Sequence, residues 1–77
     1  MVRVRYFASL RERRNTDVED VALLPGETLG QLYLRLFPPG PEGLLPVAYA
    51  RNAAVARATE VPQDGDEVAF LPPVGGG

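Results

Sequence analysis

The sequence predicts a single α+β domain in which one main helix packs on a mixed β-sheet. Three observations favour this class: two-residue alternation near both ends, one helical stripe in the middle, and a length of 77 residues. A chain of this size holds one core, and a helix on a sheet needs only two layers. With 45% hydrophobic and 23% charged residues, the composition is typical of a folded globular domain.

A first β-strand is predicted for residues 2–7, where side chains alternate between two faces. The core-facing set is Val2, Val4 and Tyr6, and the outward set is Arg3, Arg5 and Phe7. Ser9 is a candidate cap for a short helical turn that runs to Arg14, and Asn15 could close that turn.

A second strand is predicted for residues 18–24, where β-branched residues nearly alternate before the Pro25-Gly26 turn. We expect this strand to pair with the first in a hairpin-like arrangement. Residues 9–16 would then be the connection between the two.

The main helix is predicted to begin at Thr28, because Gln31 follows at the spacing of a capping box. Glu27 adds a negative charge near the positive end of the helix dipole. The apolar stripe recurs at helical spacing and consists of Leu29, Leu32, Tyr33, Leu36 and Phe37. The proline-rich segment 38–41 ends the helix. A helix this short is stable only where its stripe covers a sheet.

Further strands are predicted in the second half of the chain. Residues 47–51 and 54–58 form two short strands around a turn at Asn52, a residue type that tolerates positive φ. The last strand is predicted for residues 67–71, directly after a turn at residues 63–66.

Phe7 and Leu71 are predicted to lie outward, since Val68 and Phe70 of the last strand should face the helix stripe. If the first and last strands are neighbours, these two large apolar side chains form one exposed patch. Such a patch is typical of a site that binds another protein.

The composition excludes several classes of function. The chain contains no Cys and no His, which excludes thiol nucleophiles, disulfides, zinc sites and imidazole catalysis. We predict no metal site, and without a glycine-rich phosphate loop we expect no bound cofactor and no ATP site on this chain. The net charge of −2 argues against nucleic acid as a partner. No apolar run exceeds four residues, so we expect a soluble, cytoplasmic protein without a membrane span.

Two charged clusters are interpreted as surface features. The segment 11–14 contains three arginines, but such a run in a helical turn is more often a solvated face than a phosphate site. Asp64, Asp66 and Glu67 lack the spacing of a calcium loop, and they fit a tight turn before a strand.

The segment after the last strand has a composition that suits a chemical reaction at the end of the chain. Its sequence is Pro72-Pro73-Val74-Gly75-Gly76-Gly77. Glycine has no Cβ, so a glycine tail can enter a channel too narrow for other residues. The two prolines disfavour a helix and would keep the exit from the strand extended. We therefore divide the chain into a domain with its stalk, residues 1–74, and a flexible glycine tail, residues 75–77.

The carboxylate of Gly77 is ionised at neutral pH and could attack the α-phosphate of ATP in the active site of a partner. Taken alone, a bare glycine end is more often a disordered terminus. The residues that flank the glycines decide between these interpretations.

Three segments together resemble the small subunit of molybdopterin synthase, the MoaD family. They are Val-Arg-Tyr-Phe-Ala-Ser-Leu-Arg-Glu at 4–12, Asp-Gly-Asp-Glu-Val-Ala-Phe-Leu-Pro-Pro-Val at 64–74, and the closing Gly76-Gly77. The resemblance covers all 77 residues and is most specific in the last fourteen. The sequence departs from the family pattern at Arg51, where an apolar residue commonly precedes the asparagine, and in the proline-rich loop 38–46.

The resemblance implies a ubiquitin-like β-grasp fold and a role as a sulfur carrier. An E1-like enzyme would use ATP to adenylate Gly77, and a sulfur donor protein would convert the adenylate to a thiocarboxylate. The tail, with Gly75 and Gly76, would insert into the large subunit of molybdopterin synthase in a heterotetramer. There the sulfur would pass to a cyclic pterin precursor. This chain would be the non-catalytic sulfur-carrying subunit, without an active site of its own.

The family's contact surface maps onto Phe7, Val55 and Leu71, and the stalk residues Pro72, Pro73 and Val74 would continue it toward the tail. Phe7 and Leu71 are also the outward residues that strand alternation predicts.

Other functions stay open at this point. A related carrier could serve thiamine-thiazole synthesis or tRNA thiolation with a different partner. A ubiquitin-like modifier would join Gly77 to a lysine of a target. Because all eight basic residues of this chain are arginines, such a modifier could not build lysine-linked chains on itself. A plain interaction module would not need residues 75–77 at all.

Overall fold

The computed structural model describes residues 1–41, 43 and 45–73. The elements are β1 (Val2–Tyr6), α1 (Ala8–Arg14), β2 (Val18–Val21), α2 (Leu29–Leu36), β3 (Ala48–Arg51), β4 (Ala54–Ala56) and β5 (Glu67–Leu71). The predicted class, one main helix on a mixed sheet, is confirmed, with α1 as a shorter second helix. The predicted boundary between residues 74 and 75 lies outside the described residues and stays a prediction.

The five strands form one sheet in the order β2-β1-β5-β3-β4. β1 and β5 run parallel, with Tyr6 opposite Phe70, and the other neighbouring strands are antiparallel. The predicted pairing of the first two strands is confirmed by the antiparallel β1–β2 ladder. The last strand of the described chain therefore lies in the centre of the sheet, between β1 and β3.

The core lies between the sheet and α2. The buried hydrophobic residues are Val2, Val4, Tyr6, Leu10, Val21, Leu29, Leu32, Tyr33, Phe37, Ala56, Val68 and Phe70. Aromatic rings meet at its centre, where Tyr6 and Phe37 are edge to face at 5.5 Å and Tyr33 lies 5.3 Å from Phe70. Such aromatic pairs add to the stabilisation from buried area. The opposite face of the sheet carries the outward residues of β1 and β5.

The capping box predicted for α2 is confirmed. Thr28 Oγ1 accepts a hydrogen bond from the Gln31 backbone N–H at 3.1 Å, and Gln31 Oε1 accepts one from the Thr28 N–H at 2.9 Å. The helix ends at Leu36, one residue before Phe37, and a proline follows. Neither helix in the described part of the chain is long and apolar enough to cross a membrane.

The first helix differs from the prediction at its start. It begins at Ala8, with Phe7 as its N-cap in an extended conformation, and no side chain caps it, so the prediction of Ser9 as the cap is wrong. The helix is held instead by Leu10, which is buried in the core. The prediction for Asn15 is confirmed, since it ends the helix in the left-handed conformation at φ 58°.

β1 and β3 are each one residue shorter than predicted, since β1 ends at Tyr6 and β3 begins at Ala48. β2 and β4 are shortened by two residues or more, because the residues after them bond to α2. β4 ends at Ala56, and beyond it the carbonyls of Ala58 and Glu60 accept hydrogen bonds from the first N–H groups of the helix at 2.9 and 2.8 Å. β2 ends at Val21, and the next carbonyl, of Ala22, accepts from Arg35 at 2.7 Å. The unpaired donors of a helix N-terminus need such partners.

Candidate partner-docking surface

Phe7 and Leu71 stand side by side on the open face of the sheet. The parallel β1–β5 ladder ends with Tyr6 opposite Phe70, and Phe7 and Leu71 are the residues that directly follow this pair. Since Tyr6 and Phe70 point into the core, their successors point away from it. Phe7 is 43% exposed and Leu71 is 39% exposed. This is the arrangement that strand alternation predicts.

The two side chains border a shallow depression of about 260 Å³. Three alanines line it as well, one from each of the strands β3 and β5 and one from the β3–β4 turn: Ala50, Ala53 and Ala69. Arg5 and Glu67 also line it and pair with each other, with Arg5 Nε donating to Glu67 Oε2 at 3.1 Å. We call this group of residues the Phe7–Leu71 patch.

Val55 lies on the same face of the sheet but outside the depression. It pairs with Ala50 across β3 and β4, and Ala50 pairs in turn with Ala69 of β5. Residues in such a row point to the same side of a sheet. Val55 is 95% exposed on the edge strand. Phe7, Val55 and Leu71 thus share one face, and their role in binding a partner stays a prediction.

The stalk continues the apolar surface beyond β5. Pro72 and Pro73 line a groove together with Leu71 on one side and residues 46–48, at the start of β3, on the other. Leu71 belongs to both this groove and the Phe7–Leu71 patch. Apolar surface therefore leads from Phe7 to Pro73, toward the end of the chain. The predicted site residues Val74, Gly75, Gly76 and Gly77 lie outside the described residues.

Asp66 fixes the loop that borders this surface. It accepts hydrogen bonds from the Gln63 backbone N–H at 2.8 Å, from Asn52 Nδ2 at 3.0 Å and from Arg51 Nε at 2.7 Å. These donors, the Gln63 N–H first and Asn52 next, lower the pKa of Asp66 to about 2. The carboxylate is thus used in a turn, as its spacing indicates. Arg51, the residue that departs from the family pattern, has the structural role of pairing with Asp66.

Sequence reasoning missed two contributors to this surface. The ion pair of Arg5 and Glu67 depends on the parallel β1–β5 register, which a local pattern does not reveal. The sequence pattern assigns Ala53 to no strand or turn, although it predicts a turn at the preceding residue, Asn52. A turn of two residues between the two strands is the signal that could have found it.

A family model described as the ThiS family matches residues 4–77 of this chain. No curated protein matches the sequence. Among solved structures, SAMP1 from Haloferax volcanii is similar with a TM-score of 0.75 and 28% identity, over 99% of this chain and 98% of that one.

Two further solved structures carry molybdopterin-related descriptions. A protein from Pyrococcus furiosus, assigned as molybdopterin converting factor subunit 1, is 26% identical with a TM-score of 0.74, over 95% of this chain and 97% of that one. A complex of subunits 1 and 2 of the molybdopterin-converting factor from Helicobacter pylori contains a chain that is 28% identical. Its TM-score is 0.63, over 99% of this chain and 97% of that one.

Proposed function

Because the chain belongs to the ThiS family, a group of ubiquitin-like sulfur carriers and modifiers, we propose that it carries sulfur as a thiocarboxylate on Gly77 for molybdopterin synthesis. The observation that carries this proposal is the continuous apolar surface from Phe7 through Leu71 to Pro73, which leads toward the three closing glycines. A carrier needs a surface that a partner grips next to a tail that the partner can enter.

The chemistry takes place at the carboxylate of Gly77. One of its oxygens attacks the α-phosphate of ATP, which forms an acyl adenylate and releases pyrophosphate. Sulfur at the oxidation level of sulfide, delivered by a donor protein, then attacks the acyl carbon and displaces AMP. The product is a thiocarboxylate, formed without net oxidation or reduction. An E1-like enzyme supplies the active site for the first step. Because that step consumes ATP, the protein would act in a compartment that contains ATP, such as the cytoplasm.

The thiocarboxylate then donates its sulfur to a pterin precursor bound in the large subunit of molybdopterin synthase. We propose that this subunit docks on the Phe7–Leu71 patch, so that Pro72 and Pro73 direct the tail into it. The Helicobacter pylori structure supports this partner, since its subunit 1 is found together with subunit 2. The Pro72-Pro73-Val74 stalk before the glycines, which resembles the MoaD family, supports the pathway. The assembly would be a heterotetramer.

Mass spectrometry of the protein isolated from its own cells tests the proposal. We expect the mass of the C-terminal peptide to show that sulfur replaces one oxygen of the Gly77 carboxylate. We also expect the protein to copurify with a molybdopterin synthase large subunit. The same protein without Gly77 serves as the control, and it should bind the large subunit but not support sulfur transfer. A sulfur-loaded protein bound instead to thiamine or tRNA thiolation enzymes would contradict the pathway and leave the carrier chemistry in place.

A second candidate function is that of a protein modifier. The similarity to SAMP1, described as a small archaeal modifier protein, favours it at 28% identity over almost the whole chain. Modification also begins with the adenylate of Gly77, but a lysine amine displaces AMP in place of sulfur. Digests that contain Gly77 joined to the lysine of another protein would support this function.

A further inference from the structure

The β3–β4 turn holds an alanine in a conformation that favours glycine. Arg51 pairs with Ala54, so the connection consists of two residues, Asn52 and Ala53, with φ angles of 51° and 65°. Positive φ at both positions is what a type I′ hairpin turn requires, and Asn-Gly is the preferred pair for it. Asparagine tolerates the left-handed conformation, but in alanine the Cβ crowds the backbone. Glycine would fit the second position without this strain.

Hydrogen bonds made by Asn52 hold the turn in place, but the Ala53 side chain itself adds no contact to the buried core of the described residues. The residue is exposed and does not belong to the buried core. Its methyl group instead lines the depression of the Phe7–Leu71 patch. Strained backbone conformations are found where function requires them, and here the strained residue borders the candidate docking surface.

We propose that Ala53 is a binding residue of this surface, where its methyl group contacts an apolar side chain of the large subunit of molybdopterin synthase. The inference depends on the proposed function, since it names a contact within that docking site. The lining of the depression supports an apolar occupant. Six of its eight lining residues are apolar, and the two charged ones, Arg5 and Glu67, pair with each other.

This assignment predicts opposite effects on folding and binding when the methyl group is removed. In Ala53→Gly the turn loses its strain, although the unfolded chain gains some freedom. We expect the melting temperature of this variant to be at least that of wild type and to exceed it by up to about 8 °C. The dissociation constant for the large subunit should increase about fourfold, which corresponds to the loss of one buried methyl group.

A second variant and a matched control complete the test. Ala53→Asn also tolerates positive φ, but it places a polar amide in the apolar depression, and we expect binding to weaken about tenfold or more. Ala54→Gly removes a methyl group from the next residue, which does not line the depression. That variant should melt slightly lower than wild type and bind equally well.

The experiment measures melting temperature by calorimetry and affinity by titration of the purified large subunit with each variant. Wild-type affinity in both Ala53 variants would overturn the role of Ala53 while the docking proposal stands. A melting temperature of Ala53→Gly as low as that of Ala54→Gly would show that alanine suits the turn, and it would overturn the inference from strain. If the wild-type protein itself does not bind the large subunit, the proposed docking fails and this contact fails with it.

Discussion

The side-chain amide of Asn52 joins the β3–β4 turn to the start of β5. Its Nδ2 donates to Asp66 Oδ1 at 3.0 Å, and its Oδ1 accepts from the backbone N–H of Glu67 at 2.9 Å. The backbone N–H of Asn52 also donates to the Glu67 carbonyl at 2.7 Å. The turn is thereby held in the position in which Ala53 lines the Phe7–Leu71 patch, and this position depends on Asp66.

Asp66→Asn should destabilise the protein by about 1 to 2 kcal/mol at neutral pH, because it weakens hydrogen bonds to a charged acceptor. The effect should depend on pH. The pKa of Asp66 is lowered to about 2 in the folded protein, below its value of about 3.9 in an unfolded chain. The ionised carboxylate therefore stabilises the fold above about pH 4, and this contribution is lost as the pH falls through about 2.

Urea denaturation of wild type and Asp66→Asn at pH 7, 4 and 2.5 checks this prediction. The difference in unfolding free energy should be largest at pH 7 and should shrink at the lower values. Asp17→Asn, at an exposed aspartate between α1 and β2, controls for the loss of one negative charge. A difference that stays constant over this pH range would contradict the role of the Asp66 charge.

Glu27→Ala should lower the unfolding free energy by about 2 to 3 kcal/mol. Glu27 is buried, and Arg35 donates to its two carboxylate oxygens at 2.8 and 2.9 Å. Removal of one partner from a buried pair leaves the other without its counter-charge, although the partial exposure of Arg35 reduces this cost. Thermal and urea denaturation measure the loss. Glu12→Ala, at an exposed glutamate of α1, should change stability by less than about 0.5 kcal/mol.

Leu71→Arg should abolish docking of the large subunit without unfolding the protein. The side chain is 39% exposed, so the substitution costs little in the free chain, but it places an unpaired charge in the centre of the proposed interface. We expect affinity to fall at least about 100-fold, by titration calorimetry.

Leu34→Arg is the matched control for this variant. Leu34 is a leucine of similar exposure, 43%, but it lies on α2, away from the Phe7–Leu71 patch. It should bind with wild-type affinity. If Leu71→Arg binds the large subunit as tightly as wild type does, Leu71 does not belong to the binding site.

Gly76→Ala and deletion of Gly77 should block sulfur transfer but not folding or docking. The core formed by the described residues extends from Val2 to Phe70, and we expect a glycine tail to add little to the stability of the fold. The added methyl group of alanine would prevent entry into a channel shaped for glycine. Transfer is measured as pterin product formed by the thiocarboxylated protein and the large subunit, with melting temperature and affinity as controls. Normal turnover by the Gly76 variant would disprove the narrow channel.

Strand alternation was sufficient to place Phe7 and Leu71 outward, because the period of two residues assigns each side chain to a face. It could not establish that the first and last strands are neighbours, since residues about sixty positions apart meet there. Val55 was assigned only through the family resemblance. The β3 ladder now explains its position, as it shares a row with Ala50 and Ala69. The end of β4 at Ala56 depended on α2, whose N–H groups compete for the carbonyls that follow.

The central position of β5 determines how the domain responds to mechanical load. A pull on the chain at Pro73 acts along β5, which is hydrogen-bonded to β1 on one side and β3 on the other. Both ladders must then slide at once, whereas an edge strand is held by one ladder only. Forced unfolding depends on the rate of this step. We expect the domain to resist unfolding by an enzyme that pulls on its carboxyl end. A group attached at that end could then be removed while the domain stays folded.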